Sequence, residues 1–364
     1  MLPGILVFVL GVLLMILVHE LGHFIAAKRF GIKVEEFFLG FGPRLWSVRR
    51  GETVYGMKAI PVGGYVRIAG MNPFQEPAPE DRGRLFGDKP AWQRAVVLVA
   101  GAATHFVLAF LLLAVFFLFV GFPRARIAEV ETTLDGNPSP AFVSGLRSGD
   151  EVLAVDGDDV TYPEFLDEVS ESPGQPLTLR VRRNGEERSV ETVPALSGGE
   201  GRLGVLVGQG SRLREDPIEA VVQGAEGVGG LVIGSFRAMA QVFGPEGLAR
   251  VGQLLSGEER TVDDPVGLVG AARVSGQAAA AGLADVFFFL FAGFNVFVGI
   301  LNILPLPPLD GGHLAVLGFE SVTGRRVDPR RLVPLTAVVA GFLILFTLAL
   351  TYLDVFSPIP NPFR

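Results

Sequence analysis

Four apolar runs, at about 3–26, 95–121, 284–304 and 332–353, constrain this chain more than any other feature. Each is near or above the roughly 20 residues a helix needs to cross about 30 Å of hydrocarbon. A bilayer interior offers no water to pair amides and carbonyls, so runs of this length are predicted as transmembrane helices, which satisfy their own backbone. Composition agrees: 49% hydrophobic residues, 19% charged residues and a mean hydropathy of +0.44 set the chain apart from an ordinary soluble domain. The first run lacks a basic start and a small-residue cleavage site, so it reads as a mature span rather than a secretory signal. A fifth stretch, Pro217–Phe243, is Gly- and Ala-rich and carries Glu219, Glu226 and Arg237, and is read as a membrane-adjacent helix.

Basic residues orient the spans. Lys28, Arg29, Lys33, Arg44, Arg49, Arg50, Lys58 and Arg67 follow the first run, and Arg325, Arg326, Arg330 and Arg331 precede the last. By the positive-inside rule both segments are cytoplasmic, which holds with one span on each side of 122–283 and leaves both chain ends outside. The formal charge of −7 and pI near 5.3 give no general nucleic-acid signal, so no nucleic-acid partner is expected. The chain has no cysteine, so any metal would need nitrogen and oxygen ligands.

Inside the first run stands His19-Glu20-Leu21-Gly22-His23. On a helix His19 and His23 share one face at i and i+4, so two imidazoles can close on one Zn²⁺ with Glu20 beside it as general base for a water. An acid alone at mid-bilayer costs about 2.5–3.5 kcal/mol on insertion scales, and such groups are functional by default. Far along the chain, Asn302-Ile303-Leu304-Pro305-Leu306-Pro307-Pro308-Leu309-Asp310-Gly311-Gly312 follows the third run. Its prolines interrupt a regular helix at membrane depth, which is tolerated only beside protein or a wet cavity. Asp310 is therefore a candidate third ligand, leaving one open position for water. The alternative is a proline-rich turn with Asp310 as helix N-cap.

Between the second and third runs the pattern changes. Leu177, Leu179 and Val181 alternate with Thr178, Arg180 and Arg182, Asn184-Gly185 supplies a tight turn, and Glu186–Val193 returns, which predicts a hairpin. Upstream, Gly145-Leu146-Arg147-Ser148-Gly149-Asp150 leads into Glu151–Val155 and a turn, and a short helix carrying Phe165, Leu166 and Val169 follows. The stretch of about 125–208 resembles a PDZ domain, which implies binding of a peptide end or a strand edge. A small α+β domain that only limits access is the alternative.

Taken together, the pentapeptide and the Asn302–Gly312 run resemble the site-2 protease family of intramembrane zinc metalloproteases, in its bacterial PDZ-containing, regulator-of-sigma-E protease type. Phe38-Leu39-Gly40-Phe41-Gly42-Pro43, Ile60-Pro61-Val62-Gly63-Gly64-Tyr65-Val66 and Phe86-x-x-Lys89-Pro90-x-Trp92-x-Arg94 fit in the same order, over nearly the whole chain. The resemblance implies a multi-pass protein of the bacterial cytoplasmic membrane that cleaves a single-span membrane protein, typically an anti-sigma factor already trimmed outside. It implies Zn²⁺ held by His19, His23 and Asp310, water activated by Glu20, and Asn302 near the scissile carbonyl. It also implies a substrate strand received at Gly63, Gly64, Tyr65 and Pro305.

The expected architecture is a polytopic α-helical membrane protein: a first transmembrane helix (1–30), a cytoplasmic-side membrane-associated β-hairpin or loop (31–91), a second helix (92–122) and an extracytoplasmic α+β PDZ-like domain (123–208). A linker with membrane-adjacent amphipathic helices (209–281), a third helix with the proline segment (282–318), a basic cytoplasmic loop (319–331) and a fourth helix with a short tail (332–364) complete it. One departure stands out. The family's Ala-Gly-Pro-x-x-Asn-Phe pattern in the second span reads Ala100-Gly101-Ala102-Ala103-Thr104-His105-Phe106 here. His105 is expected as a buried histidine bonded to a backbone carbonyl, with a polar helper at the active site as the alternative. His313 is not expected as a ligand. The altered span motivates a second reading of the chain, a catalytically silent scaffold that holds partner proteins through its PDZ-like domain.

Overall fold

All four apolar runs fold as helices in the computed structural model, which describes residues 2–72 and 78–363. They are α1 (Leu2–Arg29), α2 (Ala91–Val115, continued by a π turn to Val120), α8 (Ala284–Ile303) and α10 (Pro329–Phe356), and each is long and apolar enough to cross a membrane. The helix read at Pro217–Phe243 is α5, with those bounds. The chain divides into two compact units, Met1–Ala114 with Gln223–Arg364, and Val115–Val222.

In the first unit, small residues let helices approach closely, as lipid-embedded packing requires. A Cβ on Gly22 of α1 would lie 2.5 Å from the Ala100 carbonyl of α2, so the fourth residue of the pentapeptide is a helix-contact glycine. Phe8, Val12 and Met15 of α1 pack against Ala271 and Ala272 of α7 (Leu268–Ala280) and Phe291 of α8. The 209–281 segment is therefore more than a linker. It holds α5, α6 (Pro245–Leu255) and α7, and seven residues of α7 are buried, because its Gly-Ala-Ala face fits between larger neighbours. Asp354 of α10 accepts from the Gly270 amide at 2.7 Å and pairs with the buried Arg260 at 3.0 Å, tying α7 to α10.

Between α1 and α2 the chain forms two long strands, β1 (Val34–Arg50) and β2 (Thr53–Ile68). The pairing is doubled. Residues 36–39 of β1 bond on one side to 64–67 of β2 and on the other to 54–57, while 44–50 bond to 53–58. The hairpin thus curls so that 34–39 is central and 64–68 is an edge. Residues 73–77 of the expected 31–91 loop lie outside the described residues.

The second unit is an antiparallel sheet in the order β12-β3-β6-β8-β9, built from β3 (Phe122–Val130), β6 (Glu151–Val155), β8 (Leu177–Arg183), β9 (Glu186–Thr192) and β12 (Val205–Leu213). Short pairs, β4 (Thr133–Leu134) with β5 (Asn137–Pro138) and β10 (Ala195–Ser197) with β11 (Glu200–Arg202), flank it; β7 (Asp158–Asp159) pairs with β6. Two helices, α3 (Pro140–Ser144) and α4 (Tyr162–Glu171), complete the unit. The hairpin read from alternation is present in register, Leu177 opposite Thr192 and Arg183 opposite Glu186. Asn184 and Gly185 both take positive φ (52° and 87°), as the tight turn demands. Phe165 and Val169 of α4 join Ile127, Val152, Leu179 and Val181 in one core. Asp150, fully buried, receives two bonds from the Arg183 guanidinium, each of 2.6 Å.

Candidate metal centre

α1 carries His19, Glu20 and His23 on consecutive turns, and α9 (Asp310–Thr323) brings Asp310 to them. Asp310 is the first residue of α9 and Leu309 its N-cap, so the carboxylate is not spent on capping and faces the two imidazoles instead. Gly311 and Gly312 make that possible. Their Cβ atoms would lie 2.0 Å from the Ile303 carbonyl and 2.4 Å from the Pro307 nitrogen, so only glycine lets the first turn of α9 fold back on the end of α8.

The three donor atoms form a near-equilateral triangle. His19 Nε2 and His23 Nε2 are 3.2 Å apart, and Asp310 Oδ2 lies 3.4 Å from the first and 3.2 Å from the second. Zinc bonds of about 2.0–2.1 Å in tetrahedral geometry place ligand atoms about 3.3–3.4 Å apart, so the donors fit Zn²⁺ without rearrangement. Asp310 Oδ2 is buried and has no hydrogen-bond partner among the described residues, which a metal would supply. Among the described residues His19, His23 and Asp310 form a cluster of the donor types a metal needs.

Backbone groups of α2 orient the site. His23 Nδ1 donates to the Val97 carbonyl at 2.8 Å, which leaves Nε2 as the lone pair facing the triangle. One turn on, Gly101 provides the room: its Cβ would lie 2.1 Å from His23 Nε2 and 2.8 Å from His19 Cε1. His105, another turn on, corrects the sequence expectation. Among the described residues it bonds no backbone carbonyl; its Nε2 meets His19 Nδ1 at 3.1 Å and its Nδ1 meets Asn295 Oδ1 at 3.4 Å. At that level α1 presents His19, and α8 presents Asn295, whose Nδ2 donates to the Phe291 carbonyl at 3.1 Å and whose Oδ1 faces the ring.

Glu20 lies under the edge of β2, where its carboxylate accepts from the backbone amide of Val66. Gly64 is the close approach, since a Cβ there would lie 3.0 Å from Glu20 Cγ. Gly63 takes φ of 97° beside Phe41. The Tyr65 hydroxyl is committed to Glu36 at 2.5 Å, and burial together with that bond holds the phenol above the usual tyrosine range. Asn302 sits half-buried on the last turn of α8, with no side-chain hydrogen bond among the described residues, and Pro305 is exposed just beyond. A cavity of about 630 Å³ runs between 65–68 of β2, Pro307, Pro308, His313 and α10. Sequence reasoning missed Gly101, Val97 and Asn295, whose roles arise from helix packing that no local motif reports.

The model of peptidase family M50 matches residues 7–348. The chain belongs to that family. Among M50 relatives, the zinc metalloprotease Rip1 of Mycobacterium tuberculosis is 33% identical over 400 residues, covering 98% of each chain. A putative zinc metalloprotease of Rhizobium meliloti is 33% identical over 87% of this chain and 86% of its own, and one of Clostridium perfringens 32% over 95% and 96%. A solved PDZ domain of an SdrC-like protein from Listeria innocua aligns with 24% of this M50 chain and 98% of its own, at 17% identity and a TM-score of 0.21.

Proposed function

We propose that this M50 protein is a zinc-dependent intramembrane endopeptidase in which His19, His23 and Asp310 hold the metal and Glu20 is the general base. The observation that carries the reading is the triangle of donors, 3.2–3.4 Å on a side, with a carboxylate beside it and apolar helices around it. His19, His23 and Asp310 would hold a zinc ion whose Lewis acidity would polarise a peptide carbonyl and lower the pKa of water. Glu20 is placed to take a proton from the attacking water and return it to the leaving amine, work worth about 10²–10⁴-fold in rate. Asn302 is free to donate its amide N–H to the developing oxyanion.

A helical substrate hides its amides, so it must be extended before attack. The edge of β2 at 64–68, whose Val66 amide meets Glu20, would offer its remaining amides and carbonyls to such a strand, with Gly63, Gly64 and Tyr65 along it and Pro305 just beyond α8 as a further contact. A single-span membrane protein, such as a trimmed anti-sigma factor, fits a site reached through lipid. The basic residues after α1 and before α10 support a multi-pass placement in the bacterial cytoplasmic membrane with those segments inside. The sheet unit and both termini are then extracytoplasmic, where a PDZ-like unit can bind a peptide end of substrate or partner. A silent scaffold would have no use for Glu20 under β2.

The test is co-expression with single-span substrates, comparing wild type with Glu20→Gln and Asp310→Asn. Glu20→Gln is expected to keep zinc and lose cleavage by at least about a hundredfold. Asp310→Asn is expected to lose zinc from metal-washed protein while remaining in the membrane. Equal cleavage by wild type and Glu20→Gln would overturn the mechanism.

A further inference from the structure

His19 and His23 present Nε2 to the same point but are held by different partners. His23 rests on a backbone carbonyl, that of Val97. His19 meets a side chain as well: its Nδ1 lies 3.1 Å from His105 Nε2, with the Gly101 carbonyl also beside the ring. His105 and Asn295 are 2% and 0% exposed, so no water competes for them. The line of bonds continues from His105 Nδ1 to Asn295 Oδ1, 3.4 Å, and from Asn295 Nδ2 to the Phe291 carbonyl, 3.1 Å.

The Phe291 carbonyl can only accept, and this sets every proton along the line. Asn295 turns its Nδ2 toward that carbonyl and so its Oδ1 toward His105. His105 then carries its proton on Nδ1 and offers the Nε2 lone pair to α1. His19 in turn carries its proton on Nδ1, and its Nε2 lone pair is left for a metal. A hydrogen bond behind a metal-bound imidazole fixes its tautomer and ring orientation and raises its basicity.

We propose that His105, oriented by Asn295, is a positioning residue for His19, fixing the tautomer and ring plane in which His19 Nε2 faces the metal. The proposal rests on the assignment of His19 as a zinc ligand. It gives the histidine that interrupts the second-span pattern a use: an imidazole reaches from α2 to both α1 and α8, joining three helices through one ring. Packing supports it. A Cβ on Gly299 of α8 would lie 2.9 Å from His105 Cβ, so glycine there admits α8 close enough for Asn295 to reach the ring.

The experiment uses the full chain in detergent, stripped of metal. Zinc affinity is measured against a chelator, and the visible spectrum of the Co²⁺-loaded protein reports ligand geometry. His19→Ala tests the site itself and should abolish tight binding. His105→Leu is expected to weaken zinc about 10–100-fold and shift the Co²⁺ bands, the usual effect of losing such a partner. His105→Gln keeps an amide oxygen able to accept from His19 Nδ1 and should stay within about threefold of wild type. Asn295→Leu should weaken zinc in the same direction, and combined with His105→Leu should cost nothing more, because the two act through one line. If His19→Ala loses zinc while His105→Leu and Asn295→Leu bind within twofold of wild type with unchanged Co²⁺ spectra, the proposal is overturned and the metal site stands. If His19→Ala binds as wild type does, it is the site assignment that fails. Should His105→Leu not fold, Asn295→Leu decides, a loss of fivefold or more supporting the proposal and a smaller one overturning it.

Discussion

Replacing Gly101 by alanine adds one methyl group at the most crowded point of the centre. The new Cβ would stand 2.1 Å from His23 Nε2, 2.6 Å from His23 Cε1 and 2.8 Å from His19 Cε1. Non-bonded heavy atoms rest at about 3.5 Å or more, so about 1.4 Å of separation must be found. The backbone bond from His23 Nδ1 to Val97 prevents the ring from swinging freely, and the Gly22 contact with Ala100 keeps α1 against α2. Metal ligands tolerate about 0.2 Å of displacement, several times less than the methyl imposes. Gly101→Ala is therefore expected to lower zinc affinity and cleavage by at least about a hundredfold, comparable with a 1 Å misplacement of a reacting group. Gly229→Ala is the control: it is also a helical glycine, its Cβ meets nothing within 4 Å, and the change should be neutral or stabilising. The assay is zinc retained after equilibration with a metal buffer, paired with cleavage of a co-expressed substrate. Retention of both within threefold of wild type by Gly101→Ala would refute the reasoning.

Two further outcomes are expected. Gly64→Ala presses on Glu20 Cγ from 3.0 Å and should lower turnover roughly tenfold with zinc content unchanged; loss of zinc instead would mean that β2 supports the ligands rather than the base. Arg250 grips Asp264 through bonds of 2.7 and 2.9 Å and holds its carboxyl down at about 2 from an ordinary value of 3.8. A depressed carboxyl stabilises the fold above its unfolded value, and that stability is lost as pH falls through about 2. Arg250→Ala should then lower the melting temperature at pH 7, with the gap to wild type closing near pH 2; melting curves with a gap independent of pH would count against the pairing.

Features set by short-range geometry were legible in the sequence. His19 and His23 needed only the pitch of a helix, Asn184-Gly185 only the φ values of a tight turn, and the four spans only length and apolarity. Asp310 could be reached because prolines at membrane depth need an explanation. What stayed hidden depends on which surfaces meet. The bond from His105 to Asn295 crosses 190 positions and two helices, and neither residue announces the other. The doubled pairing of β1 was likewise hidden, because alternation tells which face a residue takes but not how many neighbours a strand has. Helix α7 reads as a modest Gly-Ala segment, and only its fit against α1 and α8 shows that it is core.

The donors of the centre are far apart in time as well as in sequence. His19 and His23 are made early, and the third donor follows about 290 residues later, after the whole sheet unit has been synthesised. At about 5–20 residues per second, translation takes roughly 15–60 s to cover that distance. Throughout that interval the nascent chain presents His19, Glu20 and His23 without Asp310, and with the proposed donor set such a half-built centre would bind metal weakly. On that reading a ribosome that stalls or a message that ends before residue 310 would yield an inert product. For a protein that would cut its neighbours in the membrane, synthesis order is itself a safeguard.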